Sequence, residues 1–143
     1  MAFDKDNGQW EHFTHEADIG IRGIGTSLEN AFEMAAYALT AVVTHPDNVA
    51  HETAVHIQCA EPDVELLFLD WINALIYEMD TRQMIFSDFH VQIHDSKLTA
   101  DIRGEKINRQ KHDPAVDIKG ATMTELKVSN DNNLWIAQCV VDV

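Results

Sequence analysis

The sequence has few basic residues, and this shortage excludes several classes of protein. Ten Lys and Arg oppose 24 Asp and Glu in 143 residues, so the formal net charge is −14. Tight binding to nucleic acid depends on cationic side chains that displace counterions from phosphates, so we expect no direct, stable binding of RNA or DNA. The excess of carboxylates suits a divalent cation or a basic surface on a partner protein.

Cysteine is also scarce, and long apolar runs are missing. Cys59 and Cys139 lack the C-x-x-C spacing of a redox or zinc site. Both fall at alternating positions within strand-like segments, which predicts buried free thiols. The longest apolar stretch, 64–79, is interrupted by polar residues and is too short to span a bilayer. Because no secretory signal is visible at the start, we expect a cytoplasmic protein that does not contact membranes.

Common catalytic motifs are missing as well. The sequence contains neither G-x-x-x-x-G-K-[ST] nor G-x-S-x-G, so nucleotide hydrolysis and acyl transfer have no support. His12-x-x-His15-Glu16 resembles part of a zinc-protease motif, but the fourth residue after His15 is Ile19 and the segment looks extended. The spacing therefore favours His12 and His15 as residues at a strand end over metal ligands.

Hydrophobic periodicity predicts an α+β fold in a single domain, with two main helices and a largely antiparallel sheet. The first helix follows an N-cap at Ser27. The second is capped by Asp63 and is apolar nearly all round, which predicts burial on more than one side. The predicted order is ββαβα followed by four strands. The predicted strands cover 10–14, 19–25, 54–59, 84–93, 97–104, 122–128 and 134–143, with a bulge at 87–88.

The last residues of the sequence form an apolar strand with a charged end. Alternate positions of 135–143 are apolar on both faces, so we expect this end to be packed into the fold. Asp142 and the main-chain carboxylate of Val143 would then be two fixed anions in need of a cation. Asp18 lies in the connection just before the strand that begins at Ile19, and it is a further candidate for a fixed functional site. The residues alone leave its role open. Lys119 stands where a strand should begin, and a lysine at such a position is ordinarily a solvated charge at the edge of a sheet.

Five short blocks are informative when their order and spacing are taken together. They are Phe13-Thr14-His15-Glu16-Ala17-Asp18-Ile19-Gly20-Ile21, the run from Glu65 to Tyr77, Phe86-Ser87-Asp88-Phe89-x-Val91, Gly104-Glu105 with His112, Asp117-Ile118-Lys119 and Ala121-Thr122, and Val141-Asp142-Val143. From about residue 11 to the end, the chain resembles the archease family. Glu16 departs from the usual His-Thr-Ala-Asp, and Met123-Thr124 depart from the usual Tyr-His. These changes leave the acidic positions intact.

The resemblance implies an accessory protein of the GTP-dependent RNA-splicing ligase, which joins a 3'-phosphate or cyclic phosphate end to a 5'-hydroxyl. It implies no enzymatic activity of its own: the family promotes guanylylation and multiple turnover of the ligase in tRNA splicing or RNA repair. It also implies a metal site at Asp18, Asp142 and Val143, and a role in ligase activation for Lys119. On this basis residues 1–10 are an N-terminal leader and residues 11–143 an archease-like domain.

The predicted donors narrow the choice of cation but leave its role open. Oxygen donors without cysteine or paired histidine suit Ca²⁺, Mg²⁺ or Mn²⁺. The ion could act on the ligase, or it could only neutralise the three anions. A metal-dependent phosphoesterase that uses the same carboxylates, and a chaperone-like module with a structural ion, are the alternatives. A homo-oligomer is compatible with the apolar second helix.

Overall fold

A computed structural model describes residues 8–143. The predicted leader falls mostly on residues 1–7, which lie outside the described residues, and the first strand begins at Gln9. In chain order the elements are β1 (Gln9–His15), β2 (Asp18–Gly25), α1 (Leu28–Val43), a 3₁₀ turn (Pro46–Asn48), β3 (Thr53–Ala60), α2 (Val64–Arg82), β4 (Met84–His94), β5 (Lys97–Lys106), α3 (Arg109–His112), β6 (Gly120–Ala121), β7 (Lys127–Asp131) and β8 (Leu134–Asp142).

The strands form two sheets, and every strand pair is antiparallel. The larger sheet has the order β1-β2-β8-β6, with β7 also paired to β8, and the smaller sheet has the order β3-β5-β4. The predicted α+β class with antiparallel sheets and two main helices is confirmed. Within residues 8–143, no helix combines the length and the apolar character needed to cross a membrane.

Five strands rather than four follow α2, because the predicted strand over 122–128 is wrong. β6 ends at Ala121, before that range, residues 122–126 form an excursion, and β7 begins only at Lys127; both β6 and β7 pair with β8. The Thr122 N–H and hydroxyl both donate to the Val140 carbonyl, and the Val140 N–H donates to the Thr124 carbonyl. The chain then turns through Glu125, which has a φ of 54°. In the stretch between β6 and β7, these bonds to Val140 take the place of a regular ladder with β8.

Both predicted helix caps are confirmed, and α2 packs against α1 and against both sheets, so its predicted burial on more than one side is confirmed as well. Ser27 Oγ accepts from the Asn30 N–H at 3.0 Å, and Asp63 Oδ1 accepts from the first amides of α2. The central helix is α1, which is buried along almost its whole length. Its small side chains allow β2 to approach closely, whereas α2 lies at the surface with an exposed stripe that includes Asp70 and Tyr77.

Local features of β4, β5 and the hairpin turns agree with the sequence. Phe86 pairs with Gly104 and Asp88 with Arg103, so Ser87 is the extra residue of the predicted bulge. The turn residues between β4 and β5, and those between β7 and β8, have positive φ angles, as two-residue hairpin turns require. They are Asp95, Ser96, Asn132 and Asn133.

Candidate functional site

The end of β8 lies between β2 and β6, and this arrangement brings distant segments together. Ile19 pairs with Val141, so the next position of the ladder places Asp18 opposite Asp142. On the other side Gly120 pairs with Asp142, and the Lys119 N–H donates to the Asp142 carbonyl at 2.8 Å. All four predicted site positions, Asp18, Lys119, Asp142 and Val143, therefore meet at one end of the larger sheet.

Asp18 makes a direct contact with the last residue of the sequence. The Val143 N–H donates to Asp18 Oδ1 at 3.4 Å. Asp18 and Val143 are half-buried, whereas Asp142 is exposed. Residues opposite each other on antiparallel strands project from the same face, with Cβ atoms about 4.5–5.5 Å apart. The carboxylates of Asp18 and Asp142 therefore project from the same side of the sheet.

Little positive charge from the protein neutralises this pair. None of the ion pairs between described residues includes Asp18, Asp142 or the exposed Lys119 side chain. Like charges opposite each other on neighbouring strands destabilise a sheet. A bound cation would relieve the repulsion between the two carboxylates.

The donor chemistry of this site fits a hard cation. Carboxylate and main-chain oxygens are the ligands preferred by Ca²⁺ and Mg²⁺, and Mn²⁺ accepts them as well. Across residues 8–143, no three His, Cys, Asp or Glu side chains converge closely enough to hold an ion. With Asp18 and Asp142 as two donors, a third donor would come from the main chain of Val143, from a side chain that turns toward them, or from a partner.

The two histidines of the first motif have different surroundings. His12 Nε2 is 2.8 Å from the Ala38 carbonyl, so its ring contacts α1. His15 is the last residue of β1 and pairs with Asp18 across the turn. The prediction that His15 lies at a strand end is therefore confirmed, whereas His12 lies inside the strand.

Sequence reasoning missed a buried polar cluster around Glu105. This carboxylate accepts from the Ala50 N–H at 2.8 Å, from Lys111 Nζ at 2.7 Å and from His112 Nε2 at 3.0 Å. The Asn108 N–H donates to His112 Nδ1, so the ring proton is on Nε2. Burial alone would raise the pKa of Glu105, but hydrogen bonds from Lys111, the Ala50 amide and His112 lower it to about 2.

The Glu105 cluster lies at the start of the segment that leads to Lys119. It contacts α3, and the Ala115 N–H then donates to the Val43 carbonyl at 2.9 Å before the chain reaches β6. The sequence contained Glu105 and His112 as parts of one block. Their spacing of seven residues gave no periodic signal of a shared buried site, so only the resemblance could have drawn attention to them.

Comparisons with known proteins agree with this architecture. The model of the Archease protein family matches residues 10–143. The chain is 36% identical to Protein archease of Pyrococcus abyssi over 140 residues, covering 94% of this chain and 99% of that protein. It is 36% identical over 137 residues to Protein archease of Sulfurisphaera tokodaii, with the same coverage of 94% and 99%.

Solved structures share the fold. The solution structure of Methanobacterium thermoautotrophicum protein 1598 superposes with a TM-score of 0.78 at 26% identity, covering 94% of this chain and 98% of that one. A Thermotoga maritima crystal structure, described as an archease and possible chaperone, gives a TM-score of 0.63 at 20% identity, covering 92% and 94%, and supports the fold alone. The chain described here belongs to the archease family.

Proposed function

We propose that this protein is a cytoplasmic accessory factor of a GTP-dependent RNA-splicing ligase that joins 3'-phosphate RNA ends. It promotes guanylylation and multiple turnover of the ligase in tRNA splicing or RNA repair, and it has no enzymatic activity of its own. The observation that carries the proposal is the convergence of Asp18, Asp142, Val143 and Lys119 at one end of the larger sheet. Family membership supports the same conclusion.

The cation of this proposal binds to Asp18, Asp142 and a main-chain oxygen of Val143. When bound, it supplies positive charge and open coordination positions at the protein surface. Asp18 Oδ1 already accepts from the Val143 N–H, so its second oxygen remains for the ion. Lys119 is exposed, and its main-chain N–H donates to the Asp142 carbonyl, so this lysine lies directly before the strand that pairs with Asp142.

The charge of the chain supports a protein partner rather than RNA. A net charge of −14 opposes a phosphate backbone but attracts a basic surface such as that of an RNA-binding enzyme. Electrostatic attraction between such surfaces mainly raises the rate of association, which suits a transient contact with each ligase molecule. The interaction should therefore weaken as the salt concentration rises.

The test is multiple-turnover ligation by the cognate ligase with GTP and Mn²⁺. The wild-type protein should raise turnover, whereas Asp18→Ala should abolish the increase. Asp70→Ala, an exposed aspartate on α2, is the matched control and should stimulate like wild type. Equal turnover with and without the protein, or full stimulation by Asp18→Ala, would refute the proposal.

The same preparation separates the two alternatives. A metal-dependent phosphoesterase would hydrolyse a phosphate ester without ligase, and Asp18→Ala would abolish that hydrolysis. A chaperone-like module, the role suggested in the description of the Thermotoga maritima protein, would protect an unrelated client from aggregation without ligase or GTP. Either result in the absence of ligase stimulation would replace the proposed function.

A further inference from the structure

Two side chains of α2 bind the outer edge of the larger sheet. Among the described strands, β6 and β7 each pair only with β8, so the main-chain groups on their other side need different partners. Asn73 Oδ1 accepts from the Ala121 N–H at 2.9 Å, and Glu65 Oε2 accepts from the Val128 N–H at 3.1 Å. At these two points the helix therefore supplies the acceptors that a further strand would supply.

The contact at Asn73 lies directly beside the segment that carries Lys119. A Cβ at Gly120 would be 3.8 Å from Asn73 Oδ1, so the side chain of Asn73 lies next to both residues of β6. Lys119 immediately precedes this strand, and its N–H donates to the Asp142 carbonyl at 2.8 Å. Because β6 has only two residues and can make few ladder bonds, the bond from Asn73 is a large share of what holds it. The main chain next to Lys119 is thus held by β8 on one side and by Asn73 on the other.

The helix is a rigid support for Asn73. Trp71 and Ile72, the two residues before it, are fully buried. Trp71 Nε1 donates to the Phe32 carbonyl of α1 at 3.0 Å, which ties α2 to the more deeply buried helix. Asn73 itself is exposed, so burial does not explain an amide side chain at this position. Because the helix is fixed to the core at this point, the bond from Asn73 fixes β6 relative to the core.

We propose that Asn73 is a positioning residue for Lys119. Its bond to β6 fixes the main chain from which the lysine side chain extends, and so keeps the ammonium in the orientation that activates the ligase. The inference rests on the proposed function, because it requires that Lys119 acts on the ligase. It adds a residue of α2 that acts only through this lysine. Glu65 provides the comparison, since it makes the same kind of contact with β7, away from Lys119.

The test measures multiple-turnover ligation by the cognate ligase over a range of concentrations of this protein. Asn73→Leu removes the acceptor with little change in size, and it should lower the maximal stimulated turnover about fivefold, the effect of one hydrogen bond. The concentration that gives half-maximal stimulation should not change, because the surface that binds the ligase is intact. Asn73→Asp keeps an acceptor of the same shape and should restore the turnover. Glu65→Met removes the matching contact with Val128 and, as the control, should stimulate like wild type.

Hydrogen exchange shows whether each variant loses the intended contact while the fold is kept. Exchange of the Ala121 amide should be faster in Asn73→Leu and return to the wild-type rate in Asn73→Asp. Exchange of the Val128 amide should be faster only in Glu65→Met. If Asn73→Leu shows the faster exchange at Ala121 but the turnover of wild type, the contact is merely structural and the inference is wrong.

A double variant shows whether Asn73 acts through the lysine. Asn73→Leu combined with Lys119→Met should give the same turnover as Lys119→Met alone, because the position of an ammonium that has been removed has no effect. A further loss in the double variant would mean that Asn73 contacts the ligase itself, which also contradicts the inference. If Asn73→Leu stimulates fully while Lys119→Met does not, the inference fails and the proposed function stands. If the wild-type protein gives no stimulation, both are wrong.

Discussion

The main-chain N–H of Val143 donates to Oδ1 of Asp18 at 3.4 Å, which joins residues 125 positions apart in the chain. This contact follows the last pair of the ladder between β2 and β8, where Ile19 pairs with Val141. The position of one carboxylate of the site therefore depends on how the end of β8 is packed. A change in charge at Asp18 can be separated from a change in geometry, because an amide side chain also accepts this bond.

Asp18→Asn should separate metal binding from stability. The amide keeps an acceptor for the Val143 N–H but removes one of two like charges that lie opposite each other. We expect the metal-free variant to be more stable than wild type by about 0.2–1 kcal/mol. Added Mn²⁺ should raise the melting temperature of the wild-type protein and leave that of the variant unchanged.

The control for Asp18→Asn is Asp70→Asn on the exposed stripe of α2. Thermal denaturation with and without Mn²⁺ should show the wild-type response in this variant. An equal increase in melting temperature for Asp18→Asn and wild type would contradict a role for the Asp18 charge in binding the ion.

Lys119→Met should reduce ligase stimulation without affecting the metal site. The bond from residue 119 to the Asp142 carbonyl uses the main-chain N–H, so the strand end stays in place when the ammonium is removed. We expect unchanged Mn²⁺ affinity and at least a tenfold loss of stimulated turnover, a loss of about 1.4 kcal/mol in stabilisation of the activated state. Lys127→Met, which removes an exposed lysine on β7, should stimulate fully. Full stimulation by Lys119→Met would exclude a role for this ammonium.

Features that depend on short segments were predictable from the sequence. The caps at Ser27 and Asp63 and the bulge at Ser87 each follow from a few neighbouring residues, and the structure contains all three. The excursion between β6 and β7 was not predictable, because it depends on hydrogen bonds from Thr122 to Val140 across two strands. The hydrophobic periodicity of one segment does not indicate which residues of another strand it pairs with.

The same distinction applies to burial and to the candidate site. Periodicity indicated burial of α2 on more than one side, but it did not indicate that α1 is the more deeply buried helix, whose residues Ala31 and Ala35 lie close to the backbone of Gly23. Composition left the role of Asp18 open. The contact between Asp18 and Val143 depends on the non-local pairing of β2 with β8. The resemblance to a family could therefore indicate this contact, whereas the local sequence pattern could not.

Glu105→Gln should remove a defined part of the stability at low pH. Hydrogen bonds lower the pKa of Glu105 from 4.5 to about 2 in the folded protein. Between these values the unfolded chain binds more protons than the folded one, so this stabilisation is complete above pH 4.5 and is lost as the pH falls toward 2. We expect the variant to be about 1–3 kcal/mol less stable than wild type at pH 6.

Urea denaturation at a series of pH values would measure the effect at Glu105. The difference between wild type and Glu105→Gln should shrink steadily below pH 4.5. Glu52→Gln, an exposed glutamate in the connection before β3, should show no such trend. A difference that stays constant down to pH 2 would show that Glu105 does not titrate in this range.

Both thiols should be nearly unreactive in the folded protein. Burial, with a smaller effect from the nearby Asp70 carboxylate, raises the pKa of Cys59 to about 11. Burial raises the pKa of Cys139 to about 12 despite a hydrogen bond with the Thr122 backbone. Because the thiolate is the reactive form, labelling by a disulfide reagent at pH 8 should be more than about a hundredfold slower than for a free cysteine. Cys59 is half-buried and Cys139 is buried. Denaturant should expose two reactive thiols, and rapid labelling of the native protein would contradict the raised pKa values.

Gly23→Ala should be far more damaging than Gly120→Ala, although both glycines lie in strands of the same sheet. A Cβ on Gly23 would be 2.0 Å from the Ala31 carbonyl oxygen and 2.3 Å from the Ala35 nitrogen. These are backbone atoms of α1, so the helix would have to move away from β2, at a cost of about 3 kcal/mol or more. A Cβ on Gly120 would meet only Asn73 Oδ1, at 3.8 Å, so Gly120→Ala should change stability by less than about 0.5 kcal/mol. Urea denaturation of the two variants measures this difference directly. Equal stability would mean that α1 does not pack against β2 as closely as these distances require.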